Sequence, residues 1–210
     1  MSNILLADDH SVVRSGIKSL IKDKIGSYKI DEAENENEVV NAVKGCNYDL
    51  IILDINMGNS DFIKLMDLLS LKCPDTSILI FSMHPEGIYG LRCLQLGARG
   101  YLNKTASDEE IVLAIKTVLN GKKYINAALA EILSQNSHNK IPNNPFQNLS
   151  SREIEIALLL NSGKSLTEIC TILNIQYSTV NTYKRRIFEK LNVDSILSLS
   201  RLMQTLHIQE

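Results

Sequence analysis

Four short apolar runs in the first half of the chain each end in side chains suited to handling a phosphoryl group or a metal ion. Asn3-Ile4-Leu5-Leu6-Ala7 leads into Asp8-Asp9, Leu50-Ile51-Ile52-Leu53 into Asp54, Ser77-Ile78-Leu79-Ile80-Phe81 into Ser82, and Gly100-Tyr101-Leu102-Asn103 into Lys104. If these runs are parallel strands of one sheet, their carboxyl ends lie together, which is where open α/β sheets bind ligands. Three carboxylates, a hydroxyl and an ammonium then share one pocket. Crowded carboxylates repel unless a hard, oxygen-preferring cation sits among them, and Mg2+ is the usual choice beside phosphate. One carboxylate can attack a phosphoryl donor to give an acyl phosphate, while the metal and the Lys neutralise the charge on the equatorial oxygens and the Ser hydroxyl donates to one of them. Taken singly, Asp9 reads equally well as a helix N-cap, Ser82 as a loop hydroxyl and Lys104 as a solvated charge. Their joint placement at four strand ends is what points to chemistry.

The elements that must position these residues are legible in the spacing. Through residue 125, apolar runs alternate with longer helical patterns, the signature of βαβ units and a parallel sheet covered on both faces. Strands are predicted near 3–7, 28–33, 49–53, 77–81 and 100–102, and helices near 12–24, 36–45, 61–72, 86–97 and 107–120. In the first helix Val13, Ile17, Leu20 and Ile21 recur at helical spacing, so Arg14, Lys18 and Lys22 are expected to point away from the core. Gly97 and Gly121 stand where helix C-caps belong. The fold class is therefore α/β, a doubly wound five-stranded parallel sheet.

Residues 134–148 are rich in Asn, Ser and Pro with little apolar content, which reads as a linker. Ala127 to Leu133 just before them can extend a short helix off the first domain. The pattern beyond is wholly helical. Ser150 with Glu153, and Ser165 with Glu168, have the spacing of capping boxes at two helix starts. Ile154, Ala157, Leu158 and Leu160 form an inward stripe on the first of these helices, and Ile169, Ile172 and Leu173 on the second. A turn at 174–178 leads to a third helix reaching about Leu191, and a fourth occupies about 195–206. Helix, short turn, helix is a DNA-reading arrangement when the second member exposes polar and basic groups. At about 3.6 residues per turn, Val180, Tyr183, Ile187 and Leu191 share a buried stripe. Asn181, Thr182, Arg185 and Arg186 fall opposite, with Lys184 and Lys190 flanking. A Lys-Arg-Arg run can be a merely solvated face, but here it gives an otherwise weakly charged domain a positive side.

Bulk composition decides less. The 210 residues suit two small domains, and a net charge of −2 with 5% aromatics does not announce a nucleic-acid partner. Residues 1–125 carry 14 Lys and Arg against 17 Asp and Glu, and residues 149–210 carry 7 against 6, an asymmetry too small to separate the halves by charge. Cys46, Cys73, Cys93 and Cys170 are scattered without the paired spacing of zinc or redox motifs and are expected to be reduced thiols. No stretch approaches the roughly 18 consecutive apolar residues of a membrane span, and the amino terminus enters the first strand without a charged leader. A soluble, cytoplasmic protein is expected, with no membrane partner.

Asp8-Asp9, Asp54, Ser82, Tyr101 and Lys104 together resemble the receiver domain of two-component response regulators, a flavodoxin-like fold, over residues 1 to about 125. The resemblance implies that Asp54 is the phosphoacceptor and that Asp8, Asp9, Asp54 and the backbone carbonyl of Asn56 hold Mg2+. Ser82 and Lys104 then read the phosphorylated state, and Tyr101 is the aromatic switch that swings inward. Three separated segments, 149–155, 163–169 and 178–184, resemble in order the four-helix output domain of NarL/FixJ (LuxR-type) regulators. That likeness implies that helix 177–191 enters the major groove, with Asn181, Thr182 and Arg185 nearest base edges and Lys184, Arg186 and Lys190 at phosphates.

The chain departs from these patterns in places. Receivers usually follow the phosphoacceptor with Met-Pro-Gly, whereas Asn56-Met57-Gly58 follows here, so a φ restraint beside the site is missing. Thr105 stands where a Pro often follows the strand-end Lys. His84, two residues past Ser82, reads as a surface loop residue or as a neighbour of the attacking water. Asn181 stands where many relatives have Lys, so a target sequence is not transferable from them.

The resulting expectation is a receiver domain at 1–125, a linker at 126–147 and a LuxR-type helix-turn-helix domain at 148–210. The protein is then a response regulator, not an enzyme: a sensor histidine kinase phosphorylates Asp54, and the modified protein acts as a homodimer on promoter DNA. One rival is an atypical receiver governed by a partner or ligand without phosphorylation, although the full set Asp8, Asp9, Asp54, Ser82 and Lys104 argues against it. Another is a phosphatase-like enzyme with an aspartyl nucleophile. Such enzymes place their key aspartates on one strand as Asp-x-Asp, and Asp8-Asp9 and Asp54 lie on separate ones.

Overall fold

The structure, a computed structural model, describes residues 3–45, 47–57, 62–138 and 145–205. Five strands, β1 (Asn3–Ala7), β2 (Lys29–Ala33), β3 (Leu50–Leu53), β4 (Ser77–Ser82) and β5 (Gly100–Asn103), pair in parallel in the order β2-β1-β3-β4-β5. This is the doubly wound arrangement expected, with its switch point between β1 and β3. Five helices, α1 (Ser11–Lys24), α2 (Glu36–Ala42), α3 (Phe62–Lys72), α4 (Glu86–Gln95) and α5 (Asp108–Leu119), alternate with the strands. Because side chains alternate across a strand, Ile4 and Leu6, Leu50 and Ile52, and Leu79 and Phe81 face α1 and α5. There they pack on Ile17, Ile21, Ile111, Ala114, Ile115 and Val118 in one buried cluster. Ile51, Leu53, Ile80 and Tyr101 take the other face by the same alternation, and all are buried.

Local chemistry sets the helix ends. Ser107 caps α5 by accepting from the Glu110 N–H, and Asp108, Glu109 and Glu110 place negative charge at the positive end of the helix dipole. Gly97 and Gly121 follow the last residues of α4 and α5 with φ of +97° and +74°, left-handed values that a Cβ disfavours. Arg14 does not point to solvent as its place in the spacing predicts. It is 5% exposed, because three acceptors surround its guanidinium.

The helix read as an extension of the first domain is α6 (Ala127–His138), which runs five residues beyond Leu133. It is seated on α4. Asn126 Nδ2 donates to both carboxylate oxygens of Glu86 at 2.8 and 2.7 Å, its Oδ1 accepts the Leu129 N–H at 2.9 Å, and Leu129 is wholly buried against Gly90.

The chain divides into two units, Met1–Ser134 and Gln135–Glu210. The second holds a 3-10 turn at Pro145–Asn148 followed by α7 (Ser151–Asn161), α8 (Leu166–Leu173), α9 (Tyr177–Leu191) and α10 (Ile196–Thr205). Both expected capping boxes form, Ser150 with Glu153 and Ser165 with Glu168. Asn174 and Asn192 end α8 and α9 in the left-handed conformation that Asn tolerates. Ile154, Ala157, Leu160, Ile169, Val180, Ile187, Leu191, Leu199 and Met203 form the core, joined by Ile156 and by Phe146. Phe146 lies in the stretch read as linker, yet its ring is fully buried. Other expectations fail: Ile172 is 53% exposed, and Leu158, Leu173 and Tyr183 are only half-buried. Of the sequence segments flagged above, 58–61 and 139–144 lie outside the described residues, as does Cys46.

A Cβ added at Gly90 would lie 2.9 Å from Leu129 Cδ1. Gly90→Ala therefore sets a helix-propensity gain of about 1 kcal/mol against an overpacking cost of about 1–3 kcal/mol. Alone it is expected to lower the midpoint of thermal unfolding; in a Leu129→Ala background, where the space is open, it is expected to raise it. The same sign in both backgrounds would contradict this packing.

Candidate functional site

Strand register builds the pocket. Ala7 pairs with Leu53 across β1 and β3, so the residues that follow, Asp8 and Asp54, leave the sheet side by side. The Asp54 N–H donates to the Ala7 carbonyl at 2.8 Å and the Asp8 N–H to the Ala33 carbonyl at 3.0 Å. Ser82 pairs with Asn103 across β4 and β5, which delivers Lys104 to the same edge, its N–H on the Ser82 carbonyl at 2.9 Å. Lys104 Nζ then donates to Asp8 Oδ2 at 2.6 Å and to Asp54 Oδ2 at 2.8 Å, with all three side chains at most 7% exposed. Oxygens of Asp8, Asp9 and Asp54 and a ring nitrogen of His10 lie within 4.8 Å of one another.

Burial pushes the Asp54 carboxyl above its ordinary value, opposed by the Lys104 ammonium and the Asn56 N–H and reinforced by the Asp8 charge. The same burial works against the Lys104 ammonium, but its bonds to Asp54 and Asp8 outweigh it and hold the group charged. One ammonium among three carboxylates leaves two negative charges. Each of Asp8 and Asp54 spends one oxygen on Lys104, so the other oxygens and Asp9 make a hard donor set that fits a divalent cation.

Beside the pocket, Ser82 and Tyr101 are 1% and 0% exposed. Ser82 Oγ accepts the His84 N–H at 3.3 Å, and Tyr101 donates its hydroxyl proton to the His84 carbonyl at 2.7 Å, which Asn103 Nδ2 also reaches at 3.2 Å. His84 is not a surface residue. Its ring stacks on Tyr89 with centroids 4.5 Å apart, and burial, then the Lys104 charge, pushes its pKa down to about 4, so it is neutral near pH 7. Its Nε2 has no hydrogen-bond partner among the described residues.

Sequence reasoning missed two neighbours of the acids. His10 Nδ1 stands 2.6 Å from Asp9 Oδ1 and 3.2 Å from Asp8 Oδ1, a contact that adjacency in the chain could have suggested. Arg14 could not have been found this way, since its partners Glu32 and Glu34 lie on and after β2, far along the sequence.

In the second unit, Asn181, Thr182, Arg185 and Arg186 share the exposed side of α9, opposite buried Val180, Ile187 and Leu191. Thr182 Oγ1 donates back to the Ser178 carbonyl at 2.8 Å. Lys184 is half-buried with its ammonium 5.4 Å from the centre of the Phe188 ring. Lys190 differs from expectation: its ammonium bonds Glu153 Oε2 at 2.7 Å instead of standing free for a phosphate. Glu153 is 3% exposed and also takes the Ser150 N–H and hydroxyl, so a buried carboxylate draws the cation inward.

Residues 4–116 match the family model for the response regulator receiver domain, and residues 147–203 match that for bacterial regulatory proteins of the luxR family. Response regulator UvrY of Escherichia coli (strain K12) is 33% identical over 204 residues, covering 96% of this chain and 93% of that protein. Response regulator GacA of Pseudomonas protegens is 33% identical over 202 residues, covering 96% and 95%. RcsB from Salmonella enterica serovar Typhimurium, solved on promoter P1flhDC with the phosphomimetic BeF3-, shares the fold with a TM-score of 0.58 at 24% identity, covering 98% of each chain. The chain belongs to the two-component response regulators of the NarL/FixJ type, which join a receiver to a LuxR-type DNA-binding domain and regulate transcription. Among the described residues no helix is long and apolar enough to cross a membrane.

Lys190→Met strands the Glu153 charge. Breaking a buried pair costs about 3–5 kcal/mol, but Lys190 is 40% exposed, so a loss of about 1–2 kcal/mol is expected near pH 7. Burial raises the Glu153 pKa, yet its bonds from Lys190 and Ser150 prevail and hold it below the ordinary carboxyl value. Its contribution is thus present above the ordinary carboxyl value and fades as pH falls through the lowered one. Urea unfolding of parent and variant should differ most near neutrality and converge in acid; an equal gap at both would contradict the pairing.

Proposed function

We propose that this response regulator is switched by phosphorylation of Asp54 with Mg2+ in the acid pocket, and that the switch controls dimerisation and grip on promoter DNA. The observation that carries the reading is the Lys104 ammonium bonded at once to Asp8 and Asp54 beside Ser82. An Asp54 carboxylate oxygen bonds to the phosphorus of a sensor kinase's phosphohistidine, and the phosphorus–nitrogen bond breaks with its electron pair left on the imidazole. Asp8, Asp9, Asp54 and the Asn56 carbonyl would hold Mg2+, which supplies charge neutralisation at the phosphoryl oxygens. Lys104 remains on the modified group, Ser82 donates its hydroxyl to a phosphoryl oxygen, and Tyr101 acts as the switch. The transfer is stoichiometric; the protein is a regulator and not a turnover enzyme.

On α9, Asn181, Thr182 and Arg185 would read base edges while Arg186 and Lys184 meet phosphates. Lys190 can join them only by leaving Glu153. We assign the receiver to 1–125, the linker to 126–147 and the DNA-binding domain to 148–210, working in the cytoplasm as a homodimer across two half-sites. One observation favours the second reading, control by a partner or ligand without phosphorylation: Tyr101 is already fully buried.

Asp54→Ala is expected to take no label from acetyl phosphate with Mg2+ while the parent does, followed by intact-mass measurement. Arg185→Ala should weaken promoter binding by about 1–3 kcal/mol, if it reads a base. Labelling of the Asp54 variant, or an unchanged footprint with the Arg185 variant, contradicts the assignment.

A further inference from the structure

The turn between β1 and α1 carries two of the three carboxylates, and Asp9 and His10 on it are exposed. The His10 N–H closes the turn on Asp8 Oδ1 at 2.8 Å, and a buried cation one helical turn further on grips its backbone. Arg14 Nη1 donates to the Asp8 carbonyl at 2.7 Å, Nε to Glu32 Oε2 at 2.8 Å, and Nη2 to Glu34 Oε1. Lys18 also bonds Glu32. A guanidinium is a rigid planar fork, so three acceptors fix its plane and leave the Asp8 carbonyl one direction in which to point.

The consequence runs through the backbone. The peptide before Asp8 is held by its N–H on the Ala33 carbonyl, and the peptide after it by its carbonyl on Arg14. With both peptide planes fixed, the dihedrals of Asp8 are fixed, and so is the direction of its Cβ. The same bond sets where the Asp9 Cα lies, and the Asp9 carboxylate rests 2.6 Å from His10 Nδ1. The small cavity lined by Arg14, Asp8 and Asp54 lies among apolar Leu6, Val13 and Ile52. Glu32 and Glu34 are 35% and 61% exposed, so without the arginine both carboxylates are left to water instead of stranded in the core.

We propose that Arg14 is a positioning residue for the cation pocket: by gripping the Asp8 carbonyl, anchored on Glu32 and Glu34, it pre-aims Asp8 and Asp9 for Mg2+. The inference rests on the proposed function above. It concerns cation affinity and leaves the phosphoryl step at Asp54, to which none of these Arg14 hydrogen bonds runs, largely untouched.

The test is Mg2+ titration of the full chain by calorimetry, with labelling by acetyl phosphate at saturating Mg2+ as the second readout. Removing an orienting partner of a metal ligand costs roughly 10–100-fold in affinity, so Arg14→Met should weaken Mg2+ binding by about 10-fold. The labelling rate at saturating Mg2+ should fall by less than about 3-fold, a split that general loosening of the fold would not produce. Arg14→Lys, which keeps the charge but not the fork, should weaken Mg2+ binding by about 3-fold and decides the matter if Arg14→Met does not fold. Mg2+ affinity within about 2-fold of the parent in the folded variants overturns the positioning role alone, whereas a parent that binds no Mg2+ overturns the proposed function with it.

Discussion

The placement of one ammonium between two buried carboxylates is the constraint on which the rest of this molecule depends. Like charges within 4.8 Å of one another repel by at least about 3 kcal/mol at an effective dielectric of about 20. Asp8 and Asp54 cannot share a sheet edge at that separation without a cation between them. Lys104 supplies it from three strands away, which only the order β2-β1-β3-β4-β5 permits: β1 and β3 are neighbours, β4 pairs with β3, and β5 with β4. The topology is thus a device for bringing the end of β5 to the acids at the ends of β1 and β3. Two uncompensated charges remain, and that excess is what the proposed divalent cation would neutralise.

From the pocket, a chain of contacts leads outward. Ser82 holds the His84 N–H, Tyr101 and Asn103 hold the His84 carbonyl, and the His84 ring lies on Tyr89 of α4. The first turn of α4 carries Glu86, bound by Asn126, and further along it Gly90 receives Leu129 of α6. The strand end that would sense a phosphoryl group is therefore three contacts from α6. His84 contributes through its backbone and its stacked ring, and burial keeps that ring neutral.

Much of this was legible in the sequence because the dominant signals were local. Alternating apolar runs gave all five strands to within a residue or two, and serine–glutamate pairs three apart gave both capping boxes. The acids, Ser82 and Lys104 could be grouped because strand ends in a parallel sheet must converge. What escaped depended on partners far along the chain. Arg14 sits on the polar side of its helix and looks solvent-facing until Glu32 and Glu34 are brought beside it. Lys190 reads as a free cation until Glu153, buried at the start of α7, claims it. His84 reads as a loop residue until Tyr89 covers it. Phe146 was hidden by its Asn- and Pro-rich neighbours, whose composition says linker although the ring itself seeks a core. Charge balance over whole domains was uninformative throughout, since the cationic side of α9 is a matter of three or four residues.

In the proposed function, linkage ties the two halves together. A phosphoryl group on Asp54 can change DNA affinity only by the amount it favours the binding-competent state, typically about 1–3 kcal/mol. The most direct measurement is the affinity of the full chain for a promoter duplex at fixed salt and Mg2+, with and without beryllium fluoride as the phosphoryl mimic. The account predicts a tightening of about 5–150-fold; equal affinity in the two conditions would contradict it.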